Sequence, residues 1–113
     1  MSIIEAFKLS GLNTEVITRH CKKIFDYDPV GLEYNYIIVY CACDKGKFSG
    51  LWEEYKTKVQ EIDFGSYPIK RDGEGKPKLH DIRTKYIEIR VARATHIREG
   101  KETGIYHIFI HLN

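Results

Sequence analysis

Residues 85–95, Lys85-Tyr86-Ile87-Glu88-Ile89-Arg90-Val91-Ala92-Arg93-Ala94-Thr95, and residues 104–112, Gly104-Ile105-Tyr106-His107-Ile108-Phe109-Ile110-His111-Leu112, decide the fold. In the first, Ile87, Ile89 and Val91 share one side, and Tyr86, Glu88, Arg90, Ala92 and Ala94 the other. In the second, Tyr106, Ile108, Ile110 and Leu112 oppose His107, Phe109 and His111. A repeat of two is the signature of a strand, whose successive side chains point to opposite faces. The polar stretch between them, with Gly100, supplies a turn, so the two strands form an antiparallel hairpin. A turn centred near Gly100-Lys101 sets Arg90 opposite His111, Ala92 opposite Phe109 and Ala94 opposite His107.

Working outward, residues 34–43 (Tyr-Asn-Tyr-Ile-Ile-Val-Tyr-Cys-Ala-Cys) are apolar on both alternating sides, which predicts a central strand buried on both faces. Phe48, Leu51, Trp52, Tyr55, Val59 and Ile62 recur at helical spacing, with Glu53, Glu54, Lys56 and Lys58 on the wet side, so residues 49–62 are expected to be a helix. Upstream, Val16, Ile17, Cys21, Ile24 and Phe25 form the stripe of another helix. Asn13 or Thr14 is available to cap it, and Asp28-Pro29 and Gly31 stop it. Ser2-Ile3-Ile4-Glu5 has capping-box spacing and predicts a short first helix to about Leu9. Residues 63–83 read as an exposed hairpin or loop, with Tyr67-Pro68-Ile69-Lys70 as a short edge strand. The expectation is one α+β domain spanning residues 1–113. Its antiparallel sheet carries N-terminal helices on one face and ends in a β-hairpin. The expected core includes Ile38, Val39, Trp52, Tyr55, Val59, Ile87, Ile89, Val91, Ile108 and Ile110.

Composition narrows the function classes. At 113 residues the chain is one domain's length, and 42% apolar residues suit a folded globule. A formal net charge of +2 lacks the broad basic footprint of a dedicated nucleic-acid binder, which leaves a local basic surface. Three cysteines, two within an apolar run, do not suit a secreted disulfide scaffold, and no apolar run is long enough to span a bilayer. The expected location is the cytoplasm, away from membranes.

The hairpin side bearing Tyr86, Glu88, Arg90, His107 and His111 around Ala92, Ala94 and Phe109 has the groups to hold a phosphate, Arg as a bidentate donor and His as acid or base. Lys70, Arg71, Lys76, Lys78, His80, Arg83 and Lys85 form a basic loop suited to contacting a nucleic-acid backbone. No metal or cofactor is expected: His107 and His111 lie about 13 Å apart along a strand, and Cys41 and Cys43 have no second pair to complete a tetrahedral set. Two alanines on a strand face leave room for close approach by a helix, a second subunit or a nucleic acid. A subunit contact, giving a homodimer, or a ligand is the favoured occupant.

Residues 78–91, with Tyr86-Ile87-Glu88-Ile89-Arg90, followed by Gly104-Ile105-Tyr106-His107-Ile108-Phe109, resemble the C-terminal part of RelE/HigB-type toxins. The resemblance covers about the last third of the chain. It implies a small antiparallel sheet with helices on one side, messenger-RNA cleavage on the ribosome, and a cognate antitoxin-like partner. It places Arg90 as the strand arginine and His107 where a second arginine usually stands, with Glu88 and His111 beside them and Lys76, Lys78, Arg83 and Lys85 on the RNA. The order of elements also resembles NTF2-like α+β folds. That implies a non-enzymatic domain, a homodimer, and an apolar ligand or protein partner beside Trp52, Tyr55 and Phe109.

Overall fold

The computed structural model describes residues 2–28 and 31–112. Five strands and two helices follow one another as β1 (Ile4–Leu9), α1 (Thr14–Asp26), β2 (Tyr34–Cys41), α2 (Phe48–Glu61), β3 (Leu79–Ile82), β4 (Ile89–Arg98) and β5 (Lys101–His111). They form one mixed sheet in the order β1-β2-β5-β4-β3. The pairs β1·β2 and β2·β5 are parallel, and β5·β4 and β4·β3 are antiparallel. The α+β class and the C-terminal hairpin are as expected. The wholly antiparallel sheet and the purely N-terminal placement of helices are not, because α1 and α2 are interleaved with strands.

The first segment is the clearest correction: residues 4–9 are a strand, not a helix. Six residues cannot repay the cost of nucleating a free helix. Pairing along β2 satisfies the backbone groups on the inner side of this edge strand, continued by bonds from Tyr36 N to Ile3 O (2.9 Å) and Ala42 N to Leu9 O (2.8 Å). Phe7 and Leu9 turn inward while Ile4, Ala6 and Lys8 face out. Glu5, whose spacing from Ser2 suggested a capping box, instead meets His20 of α1 at 2.5 Å.

Helix α1 starts where its cap predicted, with the Asn13 side chain accepting from Val16 N at 3.1 Å. Asn13→Ala should cost about 1 kcal/mol, read from the urea midpoint at unchanged slope; no shift would mean that the cap contributes nothing. Pro29, read as part of the helix stop, lies outside the described residues. The stripe of α1 buries Ile17, Cys21 and Ile24, and that of α2 buries Phe48, Leu51, Trp52, Tyr55 and Val59. Both helices pack on the same side of the sheet, against Phe7, Leu9, Ile37, Val39, Cys41, Ile105 and Phe109. No helix is long and apolar enough to cross a membrane among the described residues.

The hairpin turns through Glu99 (φ 51°) and Gly100 (φ 80°), both in the left-handed region, as a two-residue turn whose twist matches the strands requires. The turn centre is therefore one residue earlier than Gly100-Lys101. Arg90 pairs with Phe109, Ala92 with His107 and Ala94 with Ile105.

The two faces of the hairpin are also exchanged relative to expectation. Ala92, Ala94 and Phe109 are fully buried beneath the helices. The occupant that their small size admitted is a helix of the same chain. Trp52 and Tyr55 of α2 lie 4.9 and 4.6 Å from the Phe109 ring, and Lys56 of α2 reaches Asp81 of β3 at 2.8 Å. Val39, Trp52, Tyr55 and Val59 are core residues as expected. Ile38, Ile89, Val91, Ile108 and Ile110 stand half-buried on the face without helices, and Ile87 is exposed. An aspartate at Val91 or Ile110 would therefore not enter the core.

Candidate functional site

Three segments distant in sequence meet at one end of the sheet. The connection from β2 to α2 supplies Lys45, and the first turn of α2 supplies Ser49. The 83–88 connection from β3 to β4 supplies Arg83, Lys85 and Glu88, and the strand ends supply Arg90 and His111. Backbone bonds hold the assembly together: His111 N to Glu88 O (2.9 Å), Leu112 N to Cys41 O (2.9 Å) and Ile89 N to Tyr86 O (3.2 Å). Thr84 Oγ1 donates toward the carbonyls of Tyr86 (3.0 Å) and Ile89 (2.9 Å), which shapes the connection from within.

Arg90 is the centre of the arrangement. Its guanidinium donates to Ile87 O (2.5 Å) and Ser49 Oγ (3.1 Å) and lies 5.4 Å from the Phe48 ring centre. Two adjoining hollows share Arg90 and Ile87. The larger, 330 Å³, runs past Trp52, Arg83, Lys85 and Tyr86; the smaller, 140 Å³, is bordered by Lys45, Ser49, Glu88 and His111. Lys56 reaches the carboxylates of Glu53 and Asp81, at 3.1 and 2.8 Å, and offsets one of their two charges, so that Arg83 and Lys85 leave the outer rim positive. Tyr86 and Ile87 project there, 58% and 62% exposed.

His111 Nε2 lies 2.7 Å from the carbonyl of Cys43, so that nitrogen carries the proton and Nδ1 is the basic one. The ring is thus held in one tautomer beside Glu88 and Arg90. Of the sequence-derived residues, Glu88, Arg90, His111, Arg83 and Lys85 converge here.

His107 does not join them. It is 1% exposed, lies under α2 and shares a 2.6 Å hydrogen bond between Nδ1 and the Tyr55 hydroxyl. Burial pushes its pKa down to about 3, with His96 as a secondary cause. It is neutral at pH 7 and has no path to a substrate.

Lys76 and Lys78 also stand apart. Lys76 lies in the exposed turn closed by Asp72, and Lys78 precedes β3 at its opposite end, about 17 Å along the strand from Arg83. Trp52, Tyr55 and Phe109, the expected wall of an apolar pocket, fill that space with one another.

Lys45 and Ser49 were missed because nothing local marks them. Asp44-Lys45-Gly46-Lys47 reads only as a turn. The available signal was a helix start with basic residues before it and no acidic residue in its first turn, unfavourable for the helix dipole unless an anion is near. Among the described residues, no group of three His, Cys, Asp or Glu side chains is placed to hold a metal ion. The chain matches no protein-family model, no curated protein and no solved structure.

Proposed function

We propose that this chain is an RNA-binding domain that grips the sugar–phosphate backbone of a single strand at the β3–β4 end of its sheet. The observation that carries the reading is the convergence of Arg83, Lys85, Arg90 and Lys45 on two joined hollows with an exposed Tyr86 beside them. Lysine and arginine supply phosphate contacts, and an exposed aromatic ring offers a base a surface to stack on. Arg90, clamped by Ile87, Ser49 and Phe48, is a preorganised donor whose remaining N–H groups need no reorientation. A ribosome-bound RNA is the same ligand in another setting, and an antitoxin-like partner with an acidic segment would compete for the same rim.

Binding without scission is the better reading of this site. Of the two histidines expected to act with Arg90, His107 is sealed under α2 and only His111 reaches the site. His111 remains as a single base, with Glu88 exposed beside it.

The test is fluorescence anisotropy with a labelled single-stranded RNA of about ten nucleotides over a salt series. Four phosphate contacts, from Lys45, Arg83, Lys85 and Arg90, predict a slope of log K against log salt of about −2.8, and Lys85→Ala should reduce its magnitude by about 0.7. Lys45→Ala, Arg83→Ala and Lys85→Ala combined should weaken binding at least tenfold and leave the RNA intact throughout. Undiminished affinity in the triple variant, or a larger loss from Lys76→Ala with Lys78→Ala, would remove the proposed site.

A further inference from the structure

The face of the sheet opposite the helices carries an unbroken apolar row. Register places Ala6, Ile38, Ile108, Val91 and Ile82 side by side, one from each of the five strands. None of the five belongs to the core cluster under the helices. Tyr40, Ile110 and Ile89 continue the apolar field on one side of this row. On the other side stand Tyr36, Tyr106 and Arg93, with the Tyr36 and Tyr106 rings stacked at 5.4 Å.

Arg93 lies flat on this face. Its guanidinium is 5.4 Å from the Tyr34 ring centre and 5.8 Å from that of Tyr106. Gly104 makes the position possible, because a Cβ there would come within 3.0 Å of Arg93 Nε. Nε is buried and has no hydrogen-bond partner among the described residues. An aliphatic centre bordered by tyrosines and an arginine, with Lys8 and the Lys70–Glu102 ion pair at the margins, is the anatomy of a protein interface.

We infer that this face packs against the same face of a second copy of the chain, around a two-fold axis running along the central strand β5. Three arguments select a second copy. The first is area. Five strands spaced about 4.8 Å apart and three rows of side chains cover roughly 500 Å² per copy in projection, or about 1,000 Å² for two, and accessible area exceeds projection. That meets the size of about 1,000 Å² needed for a specific interface.

The second argument is shape. β5 lies third of five strands, so rotation about it superposes each row on itself in reverse order. Ile108 then faces Ile108, Val91 faces Ile38, and the large Ile82 faces the small Ala6. The third is charge. The same operation lays Arg93 over Tyr36 of the second copy, so a cation meets an aromatic face and not another cation. This is the self-complementarity that an isologous contact demands, with the two sheets packed nearly aligned. The face rests on observations other than those behind the RNA site but adjoins it, since Ile82, Ile89 and Val91 also border the larger hollow, and the mass is therefore measured without RNA.

Sedimentation equilibrium from 1 to 100 μM tests it. Wild type should show twice the 13.2 kDa chain mass. Ile108→Asp, on a face no helix covers, should fall to one chain mass with an unchanged circular dichroism spectrum. Ile108→Cys should be joined into a covalent dimer by a short bis-maleimide, to at least tenfold the extent of wild type, because residue 108 sits on the axis beside its own copy. If Ile108→Asp does not fold, the crosslink decides alone. A wild type of one chain mass at 100 μM overturns the inference, and so does a dimer in which Ile108→Cys crosslinks no better than wild type.

Discussion

Acidification from pH 7 to pH 4.5 should lower the melting temperature steeply, beginning near pH 6.5, before most carboxylates titrate. His96 and His107 are both buried on the helix-covered side of the sheet, 0% and 1% exposed. Burial pushes the pKa of His96 down to about 4, opposed in part by its hydrogen bond to the carbonyl of Tyr67, and that of His107 down to about 3. In the unfolded chain both imidazoles titrate near 6.5. Above that pH neither state binds the protons and the stability contribution is complete. Between about 6.5 and 4 the unfolded state binds up to two protons that the folded state refuses. Stability then falls by about 1.4 kcal/mol per pH unit for each histidine. Over two units the loss is on the order of 5 kcal/mol, comparable with the whole stability of a small domain. Tyr55→Phe combined with His107→Leu removes one titrating group together with its hydrogen-bond partner and should roughly halve the slope between pH 6.5 and 5. A melting temperature that stays flat across that interval would show that these histidines do not remain neutral in the folded state.

Phe109→Ala should be the most damaging simple truncation in the sheet, at about 3–5 kcal/mol, because the ring is fully buried against Trp52, Tyr55 and Phe48. The cavity cannot close easily: its walls are the rings of Phe48, Trp52 and Tyr55, all held by α2. A melting temperature lower by well over 10 °C follows. Ile87→Ala, four residues before Val91 on the strand-like segment that read as core, should change stability by less than about 0.5 kcal/mol, since Ile87 is 62% exposed. Equal losses from the two substitutions, measured by urea titration at one protein concentration, would mean that the faces of β4 and β5 have been assigned the wrong way round.

That contrast bears on how far the chain could be read in advance. The stripes of α1 and α2 repeat over three or more turns, so many residues agree and local noise averages out. Asn13 was legible as a cap because its role depends on a partner three residues away. Residues 4–9 were not legible: Ile4, Ala6 and Lys8 against Phe7 and Leu9 suit a strand, but Ser2 and Glu5 imitate a cap, and six residues hold too few repeats to decide. The site was legible by half. Arg83, Lys85, Glu88, Arg90 and His111 lie within thirty residues of one another, whereas Lys45 and Ser49 arrive by way of the β2–α2 crossover and carry no local mark.

Local patterning set the periods: two helices from the 3.6-residue stripes, a strand from the apolar run at residues 34–43, and two more from the alternation at residues 85–95 and 104–112. Local sterics and hydrogen bonding set those periods within a few neighbouring residues. Tertiary structure alone decided that β1 and β5 flank β2 in parallel, and which side of the β4–β5 hairpin the helices cover. Both of its sides are apolar enough to be buried, so hydrophobicity does not choose between Val91/Ile108/Ile110 and Ala92/Ala94/Phe109. Packing does. Ala92 and Ala94 let the aromatic stripe of α2 approach the backbone, and the branched side chains on the other side would hold a helix off.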